Sequence, residues 1–569
     1  MAEKKNFLQQ IDGKVFTVPA IVLIIFVLMG IIFPSAAGSA AAAAFSFMTQ
    51  NLGWIYQLTS IVFIVFCLWA AFGKYGNVKF GGADAEPEMS FFSWFCIAFT
   101  SGMGIGVGYF GVAEPMTLFM NPPEFTKWTA HSGEAAEGVL GLVYMHWCLH
   151  PYAIYTSVGV ACGIIIWNAH RRFSFASAFE PLVGRQHTEG TFGKVVTALS
   201  VIAVVGSTGT SMGLGVSQIS SSVNYVLGTN FTPENMAILI ISVLCFIYTL
   251  SACSGLHKGI QSLSRINMYF FFVLMAWALV FGGITFIVNN TVTGIGQYLY
   301  QLIPQSFYMG ATQTDGYVGN WTIFFLAAWI AIAPLIGLFL TKLAKGRTIR
   351  QFVFVNMMAP CIFSFFWFGI FGSSSMKLSL GGTNIAQQID KWGSPAALFI
   401  YLKNLPLFPV MVIIGFLTVV LSFVTMAESI TLTLADMTTK VRSFTEKITG
   451  ELSSTSSQTY RSVSELPQAE QQNNSQDNSE NETQLNETVR SGEGVSPVGL
   501  RIFWGVLIGF IAFALFYSGG LKAIQTSSIV CALPISVLMV VMVISAVKGM
   551  KTIDLKTGEL QIDESETKE

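Results

Sequence analysis

The chain has 569 residues, of which 53% are hydrophobic and only 11% charged, with a formal net charge of −1 and a mean hydropathy of +0.60. Soluble domains carry roughly 25% charged residues, so this composition excludes a soluble globular protein. It also lacks the long basic stripe that nucleic-acid binding would need.

Apolar stretches of about 18 or more residues recur along the whole length, long enough to cross a bilayer as helices. The prediction is an all-α polytopic membrane protein. The N-terminus, MAEKKNFLQQIDGK, lacks the layout of a signal peptide, so the first apolar segment, Phe16 to Phe33, is read as a retained helix. Hydropathy places about twelve spans, centred near Ile25, Phe63, Gly104, Tyr155, Ala203, Ile241, Phe272, Ala331, Phe365, Leu417, Phe510 and Val540. With both ends in the cytoplasm, roughly 25 of the 30 basic residues lie inside, including those of TKLAKGRTIRQ, as the positive-inside rule requires. The polar, low-complexity stretch 451–496 is read as a disordered cytoplasmic loop. Its N-x-S/T triplets at Asn473, Asn481 and Asn486 fall on the wrong side for glycosylation. The eight cysteines are scattered singly through apolar runs and read as small buried residues.

Within the third span, residues 101–115 read SGMGIGVGYFGVAEP, with glycines at 102, 104, 106, 108 and 111. Each glycine inside a helix costs about 1 kcal/mol relative to alanine. Two readings compete. Small residues four apart, as in Gly102/Gly106 and Gly104/Gly108, let helices pack closely. Alternatively the helix is locally unwound, and its free backbone lines a binding cavity.

The fourth span carries HWCLHPYAIY at 146–155, where Pro151 bends the helix among aromatics, and the eighth places Trp329 five residues before Pro334. Ring faces attract a quaternary ammonium, which donates no hydrogen bond. At about 100° per residue on an ideal helix, Trp147 and Tyr155 stand about 80° apart and Tyr152 and Tyr155 about 60°. That stripe is compatible with lining a cavity.

With these elements in view, the chain resembles the betaine–carnitine–choline transporter family. The supporting stretches are GMGIG at 102–106 with Glu114-Pro115, HWCLHPYAIY, LSRINM at 263–268, KGRTIRQF at 345–352 and GGLKAIQTSSIVCALP at 519–534. The resemblance implies a LeuT-type core of two inverted five-helix repeats, spans 3–7 and 8–12, with a discontinuous third helix. The chain then divides into a cytoplasmic N-terminus (1–14), two peripheral helices (15–73) and a first repeat (90–290). The second repeat begins at 319–450, is interrupted by the 451–496 loop and finishes at 497–548, before a cytoplasmic tail (549–569). The resemblance implies transport of an onium solute across the cell membrane, with no catalytic or cofactor site. Trp147, Tyr152, Tyr155 and Trp329 match the aromatic box for the onium group, and Gly102, Met103, Gly104, Ile105 and Gly106 match the unwound stretch that meets the solute's other end. A homotrimer is the assembly of many members.

Departures from the family pattern bear on solute and ion. Tyr152 stands where glycine-betaine members have tryptophan, and Ala328 and Ile332 flank Trp329 where relatives carry tryptophan. For a coupling sodium, the resemblance offers Thr425 with the carbonyl of Met103; the fifth span supplies Ser207, Thr208, Thr210 and Ser211 for a second site, hydroxyls that equally read as helix-to-helix hydrogen bonds. Met426 replaces a serine and Leu335 a phenylalanine, each weakening a sodium site. Gly106 is not the acid of proton-coupled choline members. Sodium symport is therefore expected, with proton coupling or ion-independent exchange as alternatives. Arg265, the one arginine near a span start in LSRINM, is expected to face the cytoplasm. Glu428 is an intramembrane acid and a functional candidate, whereas Glu114 is expected to be structurally paired. No nucleophile elbow, zinc motif or P-loop supports an enzyme, and His146 and His150 read as packing residues.

Overall fold

A chain in lipid must satisfy its backbone polar groups internally, which favours helices. In the computed structural model, residues 11–102, 105–254, 257–439 and 496–560 are described. Met103, Gly104 and nearly all of the 451–496 loop lie outside them. The secondary structure of the described residues is helical, apart from three isolated bridges. Among the described residues, eleven helices are long and apolar enough to cross a membrane: Gly13–Ile32, Gly53–Phe72, Gly133–Asn168, Thr191–Leu227, Asn235–Cys253, Leu263–Phe281, Val318–Lys342, Ile349–Leu380, Phe408–Thr438, Val498–Ser518 and Lys522–Met550. Each contains one of the span centres expected from hydropathy. The third expected span is described as two shorter helices, Phe91–Gly102 and Ile105–Met120.

Loop contacts make residues 91–120 a crossing as well. Asn168 Nδ2 donates to the Lys79 carbonyl at 2.7 Å, so the two residues share a side, yet one long helix, Gly133–Asn168, separates them. A second crossing is needed. The same parity holds where Asp12 N donates to Thr438 O at 3.1 Å across nine long helices. Leu560 N in turn donates to Asn168 O, which puts both described ends on one side of the membrane.

Burial ranks the spans. Gly133–Asn168 is 94% and Val318–Lys342 83% buried within the protein, against 33% for Gly13–Ile32. The two spans carrying the candidate aromatics are therefore central, and the first is peripheral. Two further long helices of the described residues lie outside the predicted spans: the alanine-rich Pro34–Asn51 and Ile284–Ser306, which connects the seventh and eighth spans and packs on the fourth and ninth. Gly520 turns the chain between the last two spans with φ 56°, a conformation open to glycine.

Candidate functional site

Pro151 has no N–H to offer the Trp147 carbonyl one turn earlier, and its ring crowds that carbonyl. The fourth span accordingly breaks: one helix ends at Trp147, Cys148 leaves helical geometry (φ −114°, ψ −116°), and a second helix starts at Leu149. The Leu149 N–H donates to Tyr298 Oη at 3.3 Å, and His150 Nε2 meets Ser306 Oγ at 2.8 Å. Both partners lie on Ile284–Ser306. The break corrects the ideal-helix angle between Trp147 and Tyr155, because the two residues belong to different helical segments. For Tyr152 and Tyr155, on one segment, the angular argument stands.

The four candidate rings converge. Tyr152 lies 6.0 Å from both Tyr155 and Trp329, Tyr155 lies 6.1 Å from Trp329, and Trp147 lies 6.2 Å from Trp329, between ring centroids. All four are buried. The Tyr152 hydroxyl that replaces an indole finds a partner in Ser364 Oγ at 2.8 Å. Three further rings pack on Trp147: Phe325 and Phe368 each at 5.0 Å and Phe110 at 5.7 Å. Sequence reasoning missed these three rings, which carry no signal beyond being aromatic in apolar runs.

Trp147 is also tethered. Its Nε1–H donates to Glu114 Oε2 at 2.6 Å, and Glu114 Oε1 meets His146 Nδ1 at 2.6 Å. His146 Nε2 meets Thr322 Oγ1 at 3.1 Å. Glu114 is thus structurally paired, as expected, but its partner is a candidate binding residue. His146 and His150 point to different partners, and the described residues contain no group of three or more His, Cys, Asp or Glu able to hold a metal.

Two glycines of the third span make room for rings rather than for another backbone. A Cβ on Gly106 would sit 2.9 Å from Trp147 Cη2, and one on Gly111 would overlap the Trp367 indole. That indole donates to the Val107 carbonyl at 2.9 Å. Gly108 has nothing within 4 Å of its Cβ position. Gly102 ends one described helix and Ile105 begins the next. Met103 and Gly104 are the predicted contacts outside the described residues.

A cavity of about 140 Å³ reaches from Trp147 and Phe325 to Phe339 and Thr433. Along the eighth span Phe325 to Phe339 covers about 21 Å. Trp147, Trp329, Ile105 and Gly106 line it; Tyr152 and Tyr155 do not, standing behind Trp329. Ala328, Ile332, Leu335 and Met426, the departures from the family pattern, all face it.

Of the ion candidates, Thr208, Ser211 and Thr425 line the same cavity. Thr208 and Thr425 hydroxyls donate to the carbonyls of Val204 and Leu421, at 2.7 and 2.8 Å, leaving oxygen lone pairs available. Ser429 and Thr433, one and two turns below Thr425, repeat this arrangement on the cavity wall and were not anticipated. Ser207 instead knits helices: its hydroxyl donates to the Ala328 carbonyl at 3.2 Å and accepts from Ser528 at 3.1 Å. Glu428 is buried, with Ser251 donating to Oε1 at 2.8 Å, and Arg265 is exposed. No disulfide joins the cysteines among the described residues.

The family model of the betaine/carnitine/choline family transporters matches residues 14–450 and 480–554. The chain is 32% identical over 544 residues to a protein of Desulfitobacterium hafniense (strain Y51) described as a probable glycine betaine transporter, with 95% of this chain and 98% of the relative covered. It is 31% identical to the glycine betaine transporter OpuD of Bacillus subtilis (strain 168), covering 95% and 94%. It is 30% identical to the ectoine/hydroxyectoine transporter of Virgibacillus pantothenticus, covering 94% and 96%. The chain belongs to the betaine/carnitine/choline transporter family.

Proposed function

We propose that the protein takes up a quaternary-ammonium compatible solute, glycine betaine foremost, by sodium-coupled alternating access across the cell membrane. The observation that carries this reading is the convergence of Trp147, Tyr152, Tyr155 and Trp329 at centroid distances of 6.0 to 6.2 Å. Rings so grouped hold a trimethylammonium group by cation–π attraction, worth roughly 0.5 to 2 kcal/mol per ring depending on desolvation. Trp329 touches both tyrosines, so admitting the head group takes a movement of that ring. The carboxylate end of a betaine is met at the Gly102–Gly106 stretch, in keeping with the way inverted-repeat transporters meet anionic groups with backbone amides. Thr208, Ser211 and Thr425 are the oxygen donors for sodium. The membrane side that carries Lys342 and both described ends is the cytoplasm on the basic-residue count, so the cavity extends from the box toward the cell interior.

The test is saturation kinetics of labelled glycine betaine uptake in transport-deficient cells, with choline, carnitine and ectoine as competitors. Trp329→Ala removes one cage wall and is expected to raise KM about tenfold at comparable surface expression, the scale of one desolvated cation–π contact. An unchanged KM removes Trp329 from the site. Absence of any onium uptake by the wild type overturns the solute assignment.

A further inference from the structure

We propose that Glu114 is the positioning residue that gives the aromatic box its preference for a positive charge, acting through the indole of Trp147. The proposal rests on the reading that the box receives an onium group.

Glu114 is fully buried in the third span, where an acid is retained only with partners that offset its desolvation. Both of its oxygens are engaged at 2.6 Å, one by the Trp147 indole and one by His146. An indole N–H can only donate, so Oε2 is the acceptor. Contacts this short belong to hydrogen bonds with an ionised partner, roughly twice as strong as neutral ones.

The placement of this clamp matters. Trp147 and His146 are the last two residues before the helix breaks at Cys148, where the backbone no longer fixes the direction of a side chain by helical geometry. One carboxyl group holds both, and Thr322 fixes the far side of the imidazole. The box wall is thereby oriented from behind, from a different span.

The clamp also acts electrostatically. No described residue lining the cavity is charged. A cation there meets only apolar groups, hydroxyls and ring faces, while the carboxylate stands one side chain behind. An anionic acceptor on the indole N–H raises electron density on the ring face, which is what a cation senses. The carboxylate charge itself is little screened in a dry interior.

Charge preference can be separated from shape. In 3,3-dimethylbutanoate a neutral carbon replaces the nitrogen of glycine betaine, leaving size and carboxylate almost unchanged. Displacement of labelled glycine betaine from purified full-length protein by each compound gives the ratio of their affinities. Glu114→Gln is expected to lower that ratio about tenfold, the scale of a desolvated cation–π contact, chiefly by weakening the onium compound. Glu114→Asp, which draws the carboxylate back from the indole, is expected to shift the ratio in the same direction by less. It carries the test if the glutamine variant does not fold. In a Trp147→Phe background the effect of Glu114→Gln is expected to shrink to the smaller part that the carboxylate charge exerts directly.

A purely structural role would weaken both compounds together and leave the ratio unchanged, which would overturn the proposal. A full effect persisting in the Trp147→Phe background would overturn the route through Trp147. A wild type that binds no glycine betaine would overturn the onium reading of the box itself, a different failure from an unchanged ratio in a protein that binds.

Discussion

At Gly106 a hydrogen stands where any other residue would place a carbon 2.9 Å from the Trp147 ring. That ring cannot simply retreat: its N–H is tied to Glu114, and Phe325 and Phe368 each pack against it at 5.0 Å. Gly106→Ala therefore pushes a box wall out of place, and overpacking of this kind costs about 1–3 kcal/mol. The expected result is a several-fold rise in KM for the onium solute with the protein still inserted, read from uptake kinetics and surface labelling. An unchanged KM would mean that the indole yields without cost. The sequence marked this glycine as a place where a side chain is excluded, but not what excludes it, because the Trp147 contact is tertiary. Glu114 was legible as a paired acid for the same general reason that buried acids need partners. That one partner is the box tryptophan was not legible, since no spacing rule links residues of two different spans.

The fourth span shows how an element is built from one covalent fact. Pro151 announces a bend, yet the backbone leaves helical geometry at Cys148, nearer the carbonyl that lost its donor. The exposed Leu149 N–H is then satisfied by Tyr298, from a connecting helix. Ile284–Ser306 is amphipathic and rich in polar residues, so hydropathy passes over it. Tyr298→Phe removes the acceptor and leaves a half-buried N–H without a partner, at a cost of about 1 kcal/mol. The expected outcome is a lower melting midpoint of the purified protein in detergent; an unaltered midpoint would show that the break does not depend on this bond. The third span is the complementary case. Its described helices, Phe91–Gly102 and Ile105–Met120, are each too short to span, and its standing as a crossing comes from parity: Lys79 and Asn168 could not touch if residues 91–120 stayed on one side.

Over the whole molecule, hydropathy located every long span because in lipid the apolar requirement is continuous along about 20 residues. It could not rank them. The central place of Gly133–Asn168 and Val318–Lys342 emerges only from packing, and it is these two spans that bring the four rings together. Family membership supplies the transporter class, and the cavity from Trp147 to Thr433 is lined by apolar side chains and several hydroxyls, with no charged group among the described residues. Such a protein moves a solute against its gradient only when that movement is coupled to another downhill flow, sodium in the function proposed above. The most direct measurement is therefore uptake of labelled glycine betaine into proteoliposomes under an imposed sodium gradient, and again with potassium in its place. Accumulation above equilibrium with sodium, collapsing with potassium, is the expected result. Accumulation indifferent to sodium would contradict the coupling, and no glycine betaine uptake under either condition would contradict the account at its centre.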